Sequence, residues 1–303
     1  MNHHSTTGNN SGNPAEASLL KKAFLTKNQQ IAKGIYEMEL VEPDLAAAAQ
    51  PGQFVMLAIR KGVEPFLRRP FGIAGIQPQA GSIRLIYQAT GRGTAEMAGW
   101  EAGRLVELLG PLGNGFTWEE RPGRVILAGG GMGIAPLLPL AKALRSLDKD
   151  VTVFLGARSL DLVFGVKELG QAGCQVQLAT EDGSAGAAGF VTLPLESYLQ
   201  KNISAAPNQD HHRSQTANQP QPSSLPLQGL YACGPTPFLK AVSSLCSRYS
   251  LAAQLSLEER MGCGLGACMG CTVQIKDGAG KIKQQRVCYE GPVFRAEEVV
   301  FHG

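Results

Sequence analysis

The sequence predicts a multidomain α+β protein with an antiparallel β-barrel, an α/β domain built on a parallel sheet, and a small C-terminal module. Three observations support this prediction. Short β-type runs dominate residues 21–120, buried strands alternate with helical segments across residues 121–250, and four cysteines fall within residues 251–303. Repeated short strands are typical of barrels, whereas alternating strands and helices are typical of parallel sheets.

The barrel is predicted from apolar and β-branched runs, such as residues 53–59 and 82–87, that are separated by proline and glycine turns. Long helical periodicity is missing from this part of the sequence, which favours strands. Before the barrel, residues 1–20 are small and polar and lack the apolar segment of a signal peptide. We therefore expect a disordered tail there.

The α/β domain begins with an apolar strand at residues 125–128, which is followed by a glycine-rich loop and a helix over residues 137–147. Further strands are predicted at residues 151–155 and 176–179, so strand and helix alternate as in a parallel sheet. Residues 205–228 are rich in Pro, Gln, Asn, Ser and His and have almost no apolar content. This tract is predicted to be a low-complexity surface insertion.

Composition limits the classes of function. The formal charge of +3 is spread along 303 residues without a basic stripe, so nucleic acid is not an expected partner. Residues 125–141 carry no charge but include several glycines and prolines, which favours a strand, loop and helix start over a membrane segment. The cysteine count of seven is odd and four of these residues cluster, which favours a reducing compartment such as the cytoplasm.

The cysteine cluster predicts an iron–sulfur site. Cys263, Cys268, Cys271 and Cys288 follow the spacing C-x4-C-x2-C-x16-C, and the first three lie in a glycine-rich run. This order is typical of plant-type [2Fe–2S] proteins, in which a compact loop gives three thiolates and a distant cysteine gives the fourth. A structural zinc site is the alternative. Zinc sites usually contain two close ligand pairs, and here the second pair is missing because Cys288 stands alone.

A dinucleotide site is predicted at the carboxyl ends of the parallel strands. Its pyrophosphate would bind to the N–H groups of a loop that follows a strand and opens a helix. The glycines of this loop are Gly129, Gly130, Gly131 and Gly133. Cys233, Gly234 and Pro235 end a later strand of the same sheet. Residues 180–184 lie at another strand end, where their polar side chains, Asp182 among them, would meet a ribose or nicotinamide amide or, alternatively, form a turn with local hydrogen bonds.

The barrel contains two candidate anion sites. Arg69 precedes Pro70, Phe71 and Gly72, which places a guanidinium beside an extended segment. The turn at residues 91–94, which includes Gly93 and Thr94, offers a backbone anion nest. Together these segments are predicted to hold the phosphates of a dinucleotide and to expose a flat ring to the next domain.

The order of these motifs, together with residues 110–116, resembles the electron transfer subunits of type B, NAD-linked dihydroorotate dehydrogenases in the ferredoxin reductase-like superfamily. The most discriminating stretches are residues 256–264 and 286–294, and the likeness covers residues 21–300 apart from the insertion. The resemblance implies a cytoplasmic heterotetramer with an FMN-containing dihydroorotate dehydrogenase catalytic subunit, acting in pyrimidine biosynthesis. Electrons would pass from that subunit to the cluster, then to FAD and then to NAD.

The resemblance also implies where the cofactors bind. It implies an FAD held by Arg69, Pro70, Phe71, Gly72, Ile86, Tyr87, Gln88, Gly93 and Thr94, an NAD on the α/β domain, and a [2Fe–2S] cluster on the four cysteines. Gly72 is a departure, because the family commonly has serine or threonine there. The residues themselves leave NAD and NADP open, since no acidic residue immediately follows the strand at 151–155 and Arg158 would suit a 2′-phosphate.

Two alternatives remain at the level of sequence. The first is the FAD and [2Fe–2S] subunit of a related reductase, either NAD(P)H-ferredoxin or sulfhydrogenase-type. The second belongs to a different class, a zinc-bearing regulatory or scaffold protein with an inactive dinucleotide fold.

Overall fold

A computed structural model of the chain describes residues 19–59, 66–203 and 225–301. The predicted tail lies outside the described residues except at its last two positions, and so does the predicted insertion except at its last four.

The first domain is a closed antiparallel barrel of six strands in the order β1-β2-β5-β4-β3-β6. Its strands are β1 Leu20–Ala32, β2 Ile35–Val41, β3 Phe54–Leu57, β4 Arg69–Gln77, β5 Ser82–Gln88 and β6 Leu105–Leu112. The short helices are α1 Pro43–Ala48 and α2 Arg92–Ala98. Burial alternates along β6 with a period of two, because successive side chains point to opposite faces of the barrel wall. The prediction of an antiparallel barrel is therefore confirmed.

The second domain is an α/β sheet that follows the predicted alternation. Its strands are β7 Arg124–Gly130, β8 Asp150–Ala157, β9 Gln175–Thr180, β10 Ala187–Ala188, β11 Leu227–Cys233 and β12 Ala253–Ser256. Its helices are α3 Leu137–Arg145, α4 Val166–Gln171, α5 Thr192–Ile203 and α6 Thr236–Arg248. All neighbouring pairs among these strands are parallel. Strand β11 begins at Leu227, inside the tract that was predicted to be an insertion.

The C-terminal segment contains the hairpin β13 Thr272–Lys276 and β14 Ile282–Arg286, followed by β15 Val293–Arg295. Strand β15 pairs antiparallel with β12 and completes a seven-stranded sheet in the order β10-β9-β8-β7-β11-β12-β15. The sequence boundary at residue 251 thus falls before the last two strands of the sheet. The cysteine loop and the hairpin lie between these two strands and project from its edge.

The barrel and the sheet domain share a continuous apolar core. Ile35 and Ile86 of the barrel belong to the same buried cluster as Ile134 and Leu137, which open the helical side of the sheet domain. Arg84 of β5 adds an ion pair across the boundary, 2.7 Å from a carboxylate oxygen of Glu168 in α4. No helix in the described ranges is long and apolar enough to cross a membrane. The shared core fixes the two domains against each other.

Candidate functional site

Two adjoining cavities open at the carboxyl ends of the parallel strands. The sheet cavity, of about 660 Å³, is bordered by the glycine loop and the ends of β8, β9 and β11. The junction cavity, of about 430 Å³, lies between the barrel, the sheet and the cysteine segment. Gln88, Met132 and Glu258 line both. Two ligands bound in these cavities would therefore meet at these three residues.

The glycine loop and the Cys-Gly-Pro motif form one wall. Strands β7 and β11 are neighbours in register, with Gly129 opposite Cys233. A Cβ on Gly133 would lie 2.0 Å from the carbonyl oxygen of Cys233, so only glycine allows this approach. Gly131 has a φ of +56°, a left-handed conformation that also favours glycine. The loop thus turns tightly, and Gly130, Gly131, Gly133 and Pro235 line the sheet cavity.

The end of β9 places Glu181, and not Asp182, in the wall of the sheet cavity, together with Arg158 from the end of β8. Asp182 instead accepts hydrogen bonds from Ser184, at 3.0 Å from its N–H and 2.6 Å from its hydroxyl. These bonds hold the pKa of Asp182 below its usual range. Asp182 therefore forms the local turn that was its alternative assignment. Glu181, the first residue after β9, belongs to the same predicted stretch of residues 180–184.

The barrel provides one side of the junction cavity. Six of the predicted residues line it, namely Pro70, Phe71, Gly72, Ile86, Tyr87 and Gln88. The Tyr87 hydroxyl donates to Asn28 Oδ1 at 2.9 Å, and burial raises the pKa of Tyr87 to about 12, so the ring stays neutral and fixed. A Cβ on Gly72 would lie 3.4 Å from Pro136 Cβ, an ordinary contact, so packing alone does not demand glycine there.

Several predicted residues lie near the two cavities without lining them: Arg69, Gly93, Thr94, Gly129, Gly234 and Asp182. Arg69 donates to the carbonyl of Leu67 at 2.6 Å. The Thr94 hydroxyl accepts from the N–H groups of Thr90 and Gly91, both at 3.1 Å, and so caps α2. Thr90 itself lines the junction cavity, which brings this turn to its rim.

Glu258 was not singled out from the sequence, although it stands between the cavities. Its Oε1 lies 3.9 Å from the Sγ of Cys233. Its accessible surface faces the cavities, and the surrounding protein raises the pKa of the Glu258 carboxyl through burial. Burial likewise raises the pKa of the Cys233 thiol, and the nearby Glu258 adds to the effect. The surrounding protein therefore disfavours ionisation of both groups.

The cysteine loop directs backbone N–H groups at its sulfurs. The Cys263 sulfur accepts from Leu265 at 3.3 Å and from Cys268 at 3.4 Å. The Cys288 sulfur accepts from Gly266 at 3.2 Å, and the Cys271 sulfur accepts from Cys288 at 3.4 Å. Such donors stabilise thiolates and are typical of iron–sulfur loops.

The acidity of the cysteines reflects these contacts. Burial opposes ionisation of Cys263, but the N–H donors from Leu265 and Cys268 outweigh it and lower its pKa to about 6. Burial raises the pKa of the more enclosed Cys288 to about 12, with Cys271 adding to the rise. In the described part of the chain, no three His, Cys, Asp or Glu side chains surround a single metal position. The fit to a cluster therefore rests on the four thiols and their N–H donors.

The cysteine loop is joined to the junction cavity by a short segment. Met261, two residues before Cys263, lines that cavity, as do Leu257 and Pro292. A Cβ on Gly264 would lie 2.6 Å from Met56 Cγ, so the loop rests directly on barrel strand β3. Cysteine loop, junction cavity and sheet cavity therefore follow one another in contact, an arrangement suited to stepwise electron transfer.

Comparison with known proteins agrees with this arrangement. Residues 258–300 match the family described as the iron-sulfur cluster binding domain of dihydroorotate dehydrogenase B. Two relatives are named dihydroorotate dehydrogenase B (NAD(+)), electron transfer subunit. The protein of Shouchella clausii (strain KSM-K16) is 38% identical over 279 residues, covering 91% of this chain and 96% of its own. The protein of Geobacillus kaustophilus (strain HTA426) is 39% identical, covering 92% and 98%.

Solved structures show the same fold. A chain of an NADH-dependent reduced ferredoxin-NADP oxidoreductase aligns with a TM-score of 0.73 and 30% identity, covering 92% of this chain and 89% of its own. The ferredoxin reductase of carbazole 1,9a-dioxygenase aligns with a TM-score of 0.58 at 18% identity, covering 78% and 67%. The second likeness concerns the fold alone.

Proposed function

This chain belongs to the family of dihydroorotate dehydrogenase B electron transfer subunits, and from that premise we propose that it passes electrons from a dihydroorotate-oxidising catalytic subunit to NAD. The chain is accordingly an oxidoreductase subunit and not a complete dehydrogenase. The observation that best supports this role is the sequence of three adjoining sites, from the cysteine loop through the junction cavity to the sheet cavity. Each site suits one cofactor of the proposed transfer.

The flavin of FAD is proposed to occupy the junction cavity. The barrel residues proposed for it are Arg69, Pro70, Phe71, Gly72, Ile86, Tyr87, Gln88, Gly93 and Thr94. The half-buried Phe71, which packs edge-to-face on the buried Tyr87 ring with the centroids 5.9 Å apart, would give the apolar wall that a flat ring needs. Arg69 lies at the start of strand β4, from which it can reach an FAD phosphate beside the turn at Gly93 and Thr94.

NAD is proposed to occupy the sheet cavity, with its pyrophosphate on the loop of Gly129, Gly130, Gly131 and Gly133. Cys233, Gly234 and Pro235 would lie beside the nicotinamide, and Asp182 lies in the turn at the ribose end. The carboxylate of Glu181 in the wall would repel a 2′-phosphate and so supports NAD over NADP. Arg158 in the same wall would attract a 2′-phosphate and acts in the opposite direction. Cys263, Cys268, Cys271 and Cys288 are the proposed ligands of the [2Fe–2S] cluster.

When bound, the flavin connects the one-electron chemistry of the cluster with the two-electron hydride chemistry of NAD. The residues of the chain would hold these groups in this order. Gln88, Met132 and Glu258, which line both cavities, would lie around the contact of flavin and nicotinamide.

The partner is proposed to be an FMN-containing dihydroorotate dehydrogenase catalytic subunit, in a cytoplasmic heterotetramer that serves pyrimidine biosynthesis. Apolar side chains surround the cysteine loop at the surface: Leu265 is 45% exposed, Met269 51% and Tyr289 60%. An electron donor must come close to the cluster, so this surface supports docking of the catalytic subunit there.

Reconstitution with a catalytic subunit tests the proposed function. The isolated chain, loaded with FAD and cluster, is expected to reduce artificial dyes with NADH and to show no oxidation of dihydroorotate. Addition of the FMN-containing subunit is expected to produce dihydroorotate-dependent reduction of NAD. Dihydroorotate turnover by this chain alone would contradict the division of roles.

A related reductase subunit is the second candidate, favoured by the 30% identity and TM-score of 0.73 to the NADH-dependent reduced ferredoxin-NADP oxidoreductase chain. Failure to couple with any dihydroorotate-oxidising subunit, together with rapid reduction of ferredoxin by NADPH, would support that candidate instead.

A further inference from the structure

Arg286 binds the cysteine loop and a neighbouring carboxylate at the same time. It ends strand β14, and its Nη1 donates to the carbonyl oxygen of Gly266 at 2.7 Å. Its Nε donates to Glu290 at 3.0 and 3.1 Å to the two carboxylate oxygens, and its Nη2 also donates to Glu290. The guanidinium thus has a fixed orientation that a flexible ammonium would not reproduce.

The glycine that Arg286 holds is also a donor to a proposed cluster ligand. The N–H of Gly266 donates to the Cys288 sulfur at 3.2 Å. Gly266 has a φ of +79°, and a Cβ there would lie 3.0 Å from Tyr289, so the loop depends on glycine at this point. The Arg286 guanidinium lies over the Tyr289 ring, 4.6 Å from its centroid. Arg286 therefore holds the peptide that follows Gly266 Cα, while the N–H of the peptide before it donates to the Cys288 sulfur.

We propose that Arg286 is a positioning residue that raises the reduction potential of the cluster, and that Glu290 offsets its charge. The proposal rests on the cluster assignment made above and adds a residue to it. Reduction adds one negative charge at the cluster. A fixed N–H donor and a nearby guanidinium stabilise that added charge, whereas a nearby carboxylate opposes it.

Arg286 and Glu290 form an ion pair in which both Nε and Nη2 of the guanidinium donate to the carboxylate. Removal of one partner therefore leaves the charge of the other uncompensated. The two single substitutions should change the potential in opposite directions, which a merely structural role would not produce.

A redox titration of the FAD- and cluster-loaded full chain, followed by the electron paramagnetic resonance signal of the reduced cluster, tests the proposal. Arg286→Met is expected to lower the midpoint potential and Glu290→Gln to raise it. Each shift should correspond to about a tenfold change in the reduction equilibrium constant, about 59 mV for one electron. Arg286→Lys, which keeps the charge but not the bridging geometry, should lower the potential less than Arg286→Met.

Lys283→Met is the matched control, because Lys283 lies on the same strand and pairs with Asp277 at 2.8 Å in an exposed position. Because solvent screens this exposed pair, the midpoint potential of the cluster in Lys283→Met should equal that of the wild-type chain. The proposal would be overturned if Arg286→Met and Glu290→Gln shifted the midpoint potential in the same direction, or if neither shifted it. If Arg286→Met loses the cluster, Arg286→Lys and Glu290→Gln still test it. A wild-type chain that binds no iron and sulfide would instead contradict the cluster assignment.

Discussion

Gly133 and Cys233 meet so closely that the structure leaves no room for a side chain on the glycine. A Cβ at Gly133 would lie 2.0 Å from the Cys233 carbonyl oxygen and 2.6 Å from the Gly234 nitrogen. These are backbone atoms of a buried strand end, so they cannot move away as a side-chain tip would. The contact joins the glycine loop and the Cys-Gly-Pro motif into one wall of the sheet cavity.

Gly133→Ala is expected to displace the glycine loop and to weaken NADH binding at least tenfold. Overpacking against backbone should also lower the free energy of unfolding by about 3 kcal/mol. Fluorescence titration with NADH and thermal unfolding measure the two effects. Gly170→Ala is the control, because a Cβ at Gly170 meets nothing within 4 Å and the residue lies in helix α4. Equal NADH affinity in both variants would contradict the proposed pyrophosphate site.

Cys288→Ser is expected to abolish the cluster signal while most of the FAD stays bound. The substitution removes one thiolate from the proposed ligand set, whereas none of the four cysteines lines the junction cavity. Iron and acid-labile sulfide assays, together with flavin absorbance, measure both losses. Cys174→Ala, which alters a buried cysteine of the sheet domain, should leave the iron content unchanged. Parallel loss of flavin and iron would show that the two sites depend on each other.

Arg84→Met is expected to weaken the contact between the two large domains. The Arg84 guanidinium lies 3.1 Å from Glu37 in the barrel and 2.7 Å from Glu168 in α4, and each side chain is at most 24% exposed. Glu37 and Glu168 each lose one of two cationic partners and keep Lys27 and Lys142 respectively. The free energy of unfolding should therefore fall by about 1 kcal/mol, as measured by urea denaturation.

The exposed pair of Lys33 and Asp161 also connects the domains and provides a control for Arg84. Lys33→Met should have no measurable effect on unfolding, because solvent screens exposed ion pairs. An Arg84→Met protein as stable as the Lys33→Met protein would show that the apolar core alone holds the domains together.

Glu258→Gln is expected to raise the free energy of unfolding relative to the wild-type chain, and to raise it more at high pH than at low pH. Burial raises the Glu258 pKa above its ordinary value of 4.5, so the folded protein holds a proton that the unfolded chain releases. Stability is therefore lost as pH rises from 4.5 towards the raised pKa, and glutamine removes this loss. Thermal unfolding of both proteins should be measured between about pH 5 and 8. The stability difference between Glu258→Gln and the wild-type chain should widen as the pH rises. A constant difference would place an ionised Glu258 in the fold.

The sequence by itself determined the barrel, the parallel sheet, the glycine loop and the spacing of the four cysteines. These features depend on local rules: strand periodicity, the backbone freedom of glycine, and a ligand spacing that a short loop can close. Six barrel residues predicted for the flavin also line the junction cavity, because neighbouring positions on β4 and β5 share one wall.

Tertiary structure alone decided which groups meet between these motifs. It placed Glu181 in the cavity wall while Asp182 closed a local turn, it brought Glu258 within 3.9 Å of Cys233, and it joined β12 and β15 to the sheet. It also placed the Arg286 guanidinium within hydrogen-bond distance of the Gly266 carbonyl oxygen. The physical reason is that such contacts arise where separate elements pack together, and their distances depend on register and domain docking, which local sequence patterns do not encode.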